Sequence, residues 1–193
     1  EILRCLVGSE MCIRDRAKTG VQTTHNVICT RLQPWDAAHV YSENRFGPKT
    51  SIGRGNLSFS TINIVRLAIE CMHIKNKEER IAQFFAKLDH MLDITARQLH
   101  ESMEFQKTAY AKQFPLLMSS LWLGSEKLKP NDTIAPVINQ GTLGIGFIGL
   151  AECLVALTGK HHGESEEARK LGLEIITHMR EYCDQKSEET GLN

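Results

Sequence analysis

Between residues 57 and 63, apolar and polar positions alternate loosely. Leu57, Phe59 and Ile62 are interleaved with Ser58, Ser60, Thr61 and Asn63. That spacing predicts a short strand with polar groups on one side. The period then changes. Ile64, Val65, Ala68, Ile69 and Met72 recur at helical spacing, which predicts a helix ending near His73. Asn76 with Glu79 three residues later is a capping-box-like start. Ile81, Phe84, Phe85, Leu88, Leu92, Leu99 and Met103 then form a long apolar stripe. It predicts one helix, or a kinked pair, running to about Gln113, with Pro115 enforcing a stop. The stripe reads as core or as a helix-packing face. His90 and His100 read as surface or capping residues.

Met118 to Asp132 has the composition of a loop, with Trp122 as its anchor. Thr133 to Gln140 leads into Gly141-Thr-Leu-Gly-Ile-Gly-Phe-Ile-Gly149, where Leu143, Ile145, Phe147 and Ile148 alternate with glycines. That reads as a strand whose glycines are close-packing positions. Leu150 to Leu157 reads as a helix with Gly159 just past its end. Ser165 caps the last helix, with Glu166 and Glu167 favourable in its first turn. Leu171, Ile175, Ile176, Met179 and Tyr182 form its buried face. Upstream, Val27-Ile28-Cys29 reads as a short buried strand. The end at Gly191-Leu-Asn193 reads as cut.

The totals narrow the function classes. A chain of 193 residues can bury one sizeable core. With 23 Lys plus Arg against 23 Asp plus Glu, there is no global basic field for a nucleic-acid backbone. No apolar run approaches the roughly 20 residues of a membrane helix. The six cysteines, at 5, 12, 29, 71, 153 and 183, show no C-x-x-C pair, so they read as reduced thiols of a cytoplasmic protein. The expectation is therefore no nucleic acid and no membrane. Residues 1–16, with Cys5-Leu-Val-Gly-Ser-Glu-Met-Cys-Ile-Arg-Asp-Arg16, resemble a translated sequencing-adapter tail and are set aside as a non-native segment. Residues 17–193 remain as one partial domain.

Three stretches carry candidate chemistry. Gly53 and Gly55 flank Arg54, so the backbone can turn sharply and approach a ligand closely. Asn56 follows, with an amide that donates and accepts, and Ser58 adds a hydroxyl. A glycine turn feeding a strand of neutral hydrogen bonders suits a hydroxyl-rich substrate, and suits a structural loop equally. Gly144-x-Gly146-x-x-Gly149 matches a dinucleotide fingerprint in letters. That fingerprint needs its glycines in a turn between strand and helix, whereas these are threaded through a strand pattern. His161 and His162 are adjacent, and adjacent residues on an extended backbone point opposite ways. With no third ligand at a telling spacing, no metal site is expected.

The longer blocks carry a resemblance. Glu43-Asn-Arg-Phe-Gly47, the stretch Thr50 to Asn63, Val65-Arg-Leu-Ala-Ile69, Phe114-Pro-Leu-Leu-Met118 and Gly141 through Gly163 stand in one order. Together they resemble anaerobic (class III) ribonucleoside-triphosphate reductase, a glycyl-radical enzyme, over roughly Val27 to Asn193. The resemblance implies an α/β fold, a fragment of the ten-stranded α/β barrel of glycyl-radical enzymes, mostly helical with a few short strands. It implies reduction of ribonucleoside triphosphates to deoxyribonucleotides: a thiyl radical takes the ribose 3′ hydrogen and the 2′ hydroxyl leaves as water. Electrons come from formate or a thiol system.

Cys29-Thr-Arg-Leu32 resembles the family's thiyl-cysteine loop with one residue missing, which makes Cys29 the candidate radical residue. A competing alignment fixes His39-Val40 and sets Asp36 at that position. Asn56 would hydrogen-bond the ribose hydroxyls, with Gly53, Gly55 and Ser58 lining the substrate. No cofactor is expected within this chain itself. The resemblance implies a glycyl radical installed by an S-adenosylmethionine iron–sulfur activating enzyme, a C-terminal zinc, ATP and deoxynucleotide effectors, and a homodimer. None of the radical loop, zinc cysteines or ATP-binding cone has a match in these residues, so the chain alone is expected to be inactive. The alternative is a non-catalytic helical interaction domain derived from the same core.

Overall fold

The computed structural model describes Gly53 and residues 55–192. In chain order these form β1 (Asn56–Asn63), α1 (Ile64–Cys71), α2 (Lys77–Gln106) and a 3-10 turn (Ala111–Gln113). A π-type turn (Leu117–Leu121) and a second 3-10 turn (Ser125–Lys127) follow. The chain continues through α3 (Ala135–Ile138), β2 (Thr142–Ile148), α4 (Leu150–Thr158) and α5 (Glu166–Thr190). The architecture is mostly helical with a two-stranded parallel sheet of β1 and β2. Residues 1–16, Cys29 and Asp36 lie outside the described residues. The described chain falls into two compact units. The first holds Gly53, residues 55–58, Ser102–Leu143 and Leu192; the second holds Phe59–Glu101 and Gly144–Gly191.

In the first unit, α2 ends at Gln106, earlier than the apolar stripe implies. The cause is backbone pairing. Ile134 N–H donates to Ala109 C=O at 2.9 Å, Ala111 N–H to Asp132 C=O at 2.9 Å, and Lys112 N–H to Pro130 C=O at 2.9 Å. These groups are satisfied across the chain rather than along a helix, so the helix has nothing to gain by continuing. Trp122 anchors the intervening segment as its composition implies. It is buried, and its Nε1 donates to Val137 C=O at 2.9 Å. The segment is more ordered than a loop, because Trp122 N–H reaches back to Leu117 C=O at 2.8 Å and closes the π-type turn. Met103, Trp122, Ile134, Val137 and Ile138 form this unit's core, with Leu57 and Leu143 packed on it.

In the second unit, Asn63 caps α1: its Oδ1 accepts from Arg66 N–H at 3.1 Å. The helical period is as expected, but the face is rotated. Ile64, Leu67, Ala68 and Cys71 are buried, while Ile69 and Met72 are exposed. The strand differs in the same way. Ile62 is buried, whereas Phe59 stands out with Thr61 and Asn63, the odd-numbered positions of an alternating pattern. Asn76 caps α2 by accepting from the N–H groups of Glu78 at 2.9 Å and Glu79 at 3.1 Å. Ser165 caps α5 by accepting from Ala168 N–H at 3.1 Å. α4 packs against α1 and α5. Phe84, Leu88, Leu92, Leu154, Leu157 and Ile175 are fully enclosed, each burial contributing about 1.5–3 kcal/mol.

α2 and α5 run in the same direction. Lys77 pairs with Glu167 at 2.6 Å, His178 Nε2 with Asp89 Oδ1 at 2.5 Å, and Tyr182 donates to Asp93 Oδ1 at 2.6 Å. Partners advance together along both helices, which is the signature of a parallel pair. The chain thus repeats one module, a strand followed by a short helix and a long capped helix.

Gly144 and Gly146 lie inside β2, and Gly149 alone forms the turn into α4. The strand arrangement expected holds for Gly144 and Gly146 but not for Gly149, and a single glycine at the helix start is not the glycine turn that a dinucleotide fingerprint requires. A β-carbon at Gly149 would lie 2.0 Å from Val65 Cγ2, and φ there is +82°. Gly159 and Gly191 end α4 and α5 in the left-handed region, as helix-terminating glycines do. His161 and His162 stack edge to face at 5.7 Å, and His161 Nε2 faces Glu164 at 3.5 Å. Among the described residues no three His, Cys, Asp or Glu side chains converge as a metal site. None of the described helices is long and apolar enough to cross a membrane.

Two predictions follow from this packing. Gly149→Ala should destabilise the protein by more than about 2 kcal/mol, combining a left-handed backbone with a clash. Val65→Ala/Gly149→Ala should lose less than the sum of the single changes, because the smaller neighbour relieves the clash but not the φ strain. Chemical denaturation of the four proteins measures both. The second concerns Cys153, fully enclosed, whose thiol is pushed from 9.0 up to about 12 by burial first and Cys71 second. The folded state therefore favours the protonated thiol. Its contribution to stability is complete below pH 9 and is lost as pH rises toward 12. Thermal unfolding between those limits should show a flatter pH dependence for Cys153→Ala than for the wild type.

Candidate functional site

Gly53, Gly55, Asn56 and Ser58 all belong to the first unit. Gly53 has φ of +75°, the left-handed region that glycine enters without penalty. A β-carbon there would meet Leu121 O at 3.2 Å and Leu123 N at 3.3 Å, so the site is also closely approached by backbone. That approach is a hydrogen bond: Leu123 N–H donates to Gly53 C=O at 2.7 Å. Gly55 is buried and held from the other side. Its carbonyl accepts from Thr142 N–H at 3.0 Å, with the Thr142 hydroxyl at 3.5 Å. The two glycines are therefore fixed to two different segments of the unit, and Asn56 begins β1 directly after them.

Asn56 is half-buried, and its Oδ1 is a buried acceptor with no hydrogen-bond donor among the described residues. Leaving such an atom unsatisfied costs about 1–3 kcal/mol. Ser58 is half-buried two residues on, on the same side of the strand as Asn56. Between them, Leu57 turns the other way onto the core, and its carbonyl accepts from Gln106 Nε2 at 3.3 Å. Leu57 fits because residue 141 is glycine; a β-carbon there would lie 2.5 Å from Leu57 Cγ.

The site residues are neutral hydrogen bonders: two carboxamides, Asn56 and Gln106, and two hydroxyls, Ser58 and Thr142. Such a set, among the described residues, can recognise hydroxyl groups and the edges of uncharged polar ligands. The four described residues that the sequence singles out are neighbours along the chain, within residues 53–58. Cys29, the fifth, lies outside the described residues. The supporting groups were not visible in sequence. Leu123 acts through its backbone, which leaves no side-chain signature. Gln140 reads in sequence only as the end of the segment that leads into the glycine strand, yet its Nε2 donates to Leu123 C=O at 2.8 Å.

The family model described as anaerobic ribonucleoside-triphosphate reductase matches residues 9–193. The chain is similar to curated proteins named anaerobic ribonucleoside-triphosphate reductase from Salmonella typhimurium and Escherichia coli. Each is 30% identical over 152 residues, covering 77% of this chain and 20% of the relative. The protein of that name from Haemophilus influenzae is 30% identical over 142 residues, covering 72% of this chain and 19% of its own length. The chain thus spans about one fifth of the length of the curated relatives it matches. The match takes in the glycine turn, the strand that opens at Asn56 and the module built on β2, and this chain belongs to the anaerobic ribonucleoside-triphosphate reductase family.

Proposed function

We propose that this chain forms part of the substrate-binding wall of a cytoplasmic ribonucleotide reductase catalytic subunit, and that Asn56 binds the ribose of a ribonucleoside triphosphate. The observation that carries the reading is the buried Oδ1 of Asn56, which meets no hydrogen-bond donor among the described residues, at the start of a strand whose preceding glycines are fixed by backbone hydrogen bonds. A ribose hydroxyl is a donor, and it satisfies that atom. Gly53 and Gly55 act in this reading by letting the chain's own backbone close around the turn that presents Asn56, and Ser58 offers a further hydroxyl on the same side of β1. Neutral partners suit this task, because the charge of the substrate lies on its phosphates.

In this reading Cys29 carries the thiyl radical. The S–H and ribose C–H bonds are close in strength, so a hydrogen atom passes from C3′ to sulfur and back. Loss of the 2′ hydroxyl as water follows, with electrons from formate or a thiol system. The glycyl radical that generates the thiyl, its S-adenosylmethionine-dependent activating enzyme, the zinc, the nucleotide effectors and the second subunit of a homodimer belong to the same proposal. So does closure of β1 and β2 into a ten-stranded barrel. Exposed large side chains support further chain packing on these units: Phe105 and Leu116 in the first, Phe59 and Ile148 in the second.

The first test uses the complete reading frame that encodes this chain, activated anaerobically. Asn56→Ala should lower kcat/KM for ribonucleoside triphosphates by about tenfold or more. Its thermal stability should be unchanged or slightly raised, because a buried unsatisfied acceptor has been removed. Unfolding of the variant, or unchanged turnover, would overturn the ribose assignment. The second test uses the 193-residue chain alone with activating enzyme, S-adenosylmethionine, reductant and substrate. It should form no deoxyribonucleotide above a Cys29→Ala control.

A further inference from the structure

We infer that Gln140 is a positioning residue that sets the orientation of Asn56 toward the ribose; this rests on the substrate reading above. Gln140 is buried, only 9% exposed, and a buried carboxamide must be hydrogen-bonded to be tolerated. Its Nε2 donates to Leu123 C=O at 2.8 Å. The reverse orientation of the amide would set oxygen against oxygen, so the carbonyl of Leu123 fixes which end faces it. Leu123 N–H in turn donates to Gly53 C=O at 2.7 Å. The side chain of Gln140 is therefore linked to the first glycine of the substrate turn through one residue, Leu123.

Its backbone approaches the same turn from the other end. Two residues after Gln140, Thr142 N–H donates to Gly55 C=O at 3.0 Å. Between them, Gly141 N–H is tied to Ile138 C=O at 2.9 Å, which fixes the chain leading from Gln140 into β2. Gln140 thus connects the two segments that hold Gly53 and Gly55, and Asn56 is the next residue. The fit is close: a β-carbon at Gly124, beside Leu123, would lie 3.4 Å from Gln140 Nε2. Gln140 touches no substrate in this scheme. It acts through Leu123 and Gly53, so losing its donor frees the turn without removing any group that contacts ribose.

The test is equilibrium binding of a ribonucleoside triphosphate and of its 3′-deoxy analogue to the complete protein, without radical activation. The readout is the ratio of the two affinities, which reports hydroxyl recognition and not overall stability. Gln140→Met keeps the size and loses the donor; Gln140→Glu keeps the shape and meets Leu123 C=O with an acceptor. Both should reduce the wild-type ratio by about the same factor as Asn56→Ala, on the order of tenfold. Neither should reduce it further when combined with Asn56→Ala, because the same recognition is lost once. Gln140→Lys, which restores a donor, should recover part of the ratio. Amide hydrogen exchange at Leu123 should quicken in the Met and Glu variants. If the wild type discriminates and both variants keep its ratio, the positioning role is overturned while the ribose assignment stands. If the wild type itself does not discriminate, the ribose assignment fails and the positioning role falls with it. A uniform loss of both affinities at constant ratio would show a merely structural residue and also overturn the inference.

Discussion

Leu57 can enter its core only because residue 141 carries no side chain, and Val65 can pack beside the start of α4 only because residue 149 carries none. Each contact lies within one unit, one at the beginning of the strand pair and one just past its end. The separation in sequence is the same for both. In a parallel pair, equal offsets at both ends mean that the strands run without an inserted residue between them. Two missing side chains thus hold the register of β1 against β2. A slip by one residue would drive a β-carbon into Leu57 and also turn Ile62 to the wrong face. The position of Asn56 relative to Thr142 depends on that register, and so does the geometry of the glycine turn.

The second unit repeats a strand, a short helix and a long capped helix, and the repetition is local as well as global. Asn76 and Ser165 use different side chains for the same task, accepting from the free N–H groups of the first turn. Acidic residues follow both caps, which suits the positive end of a helix. Parallel long helices beside parallel strands are what a repeated strand–helix–helix order produces, because each crossover returns the chain to the same end of the sheet. The seam between α2 and α5 is made mostly of exposed polar pairs, so it contributes specificity of alignment more than stability. The stability of this unit comes instead from the enclosed aliphatic and aromatic side chains beneath it.

Much of this was legible in the amino-acid sequence because it depends on neighbours along the chain. Asn76, Ser165 and Gly159 act within one helical turn, so their roles follow from position. The stripe from Phe84 to Met103 is long enough that its period dominates any single exception. The faces of β1 and α1 were less legible. Phe59, Ile69 and Met72 are apolar and exposed, and only packing partners decide which side of a short element is covered. The early end of α2 depends on Pro130 and Asp132, far along the chain, and no local signal announces such pairing. At the candidate site, Gly53, Gly55 and Asn56 were visible as residue types. The groups that hold them were not, because they are Leu123 backbone and a glutamine reached only through tertiary contact.

The parallel arrangement of β1 and β2 also has a kinetic side. Every hydrogen bond between these strands joins residues separated by the whole of α1, α2 and the turns that follow. Such contacts raise the contact order of the chain, and the entropy of closing a long loop is lost before any ladder bond is gained. During synthesis β1 leaves the ribosome well before its partner exists. In that interval its N–H and C=O groups form an unpaired edge beside Phe59. α1 and α2, whose bonds are local, can form first and shorten the effective loop. The order of events is then imposed by topology: helices early and the sheet late, with the Gly55 end of the glycine turn fixed only as β2 begins, since its carbonyl bonds Thr142.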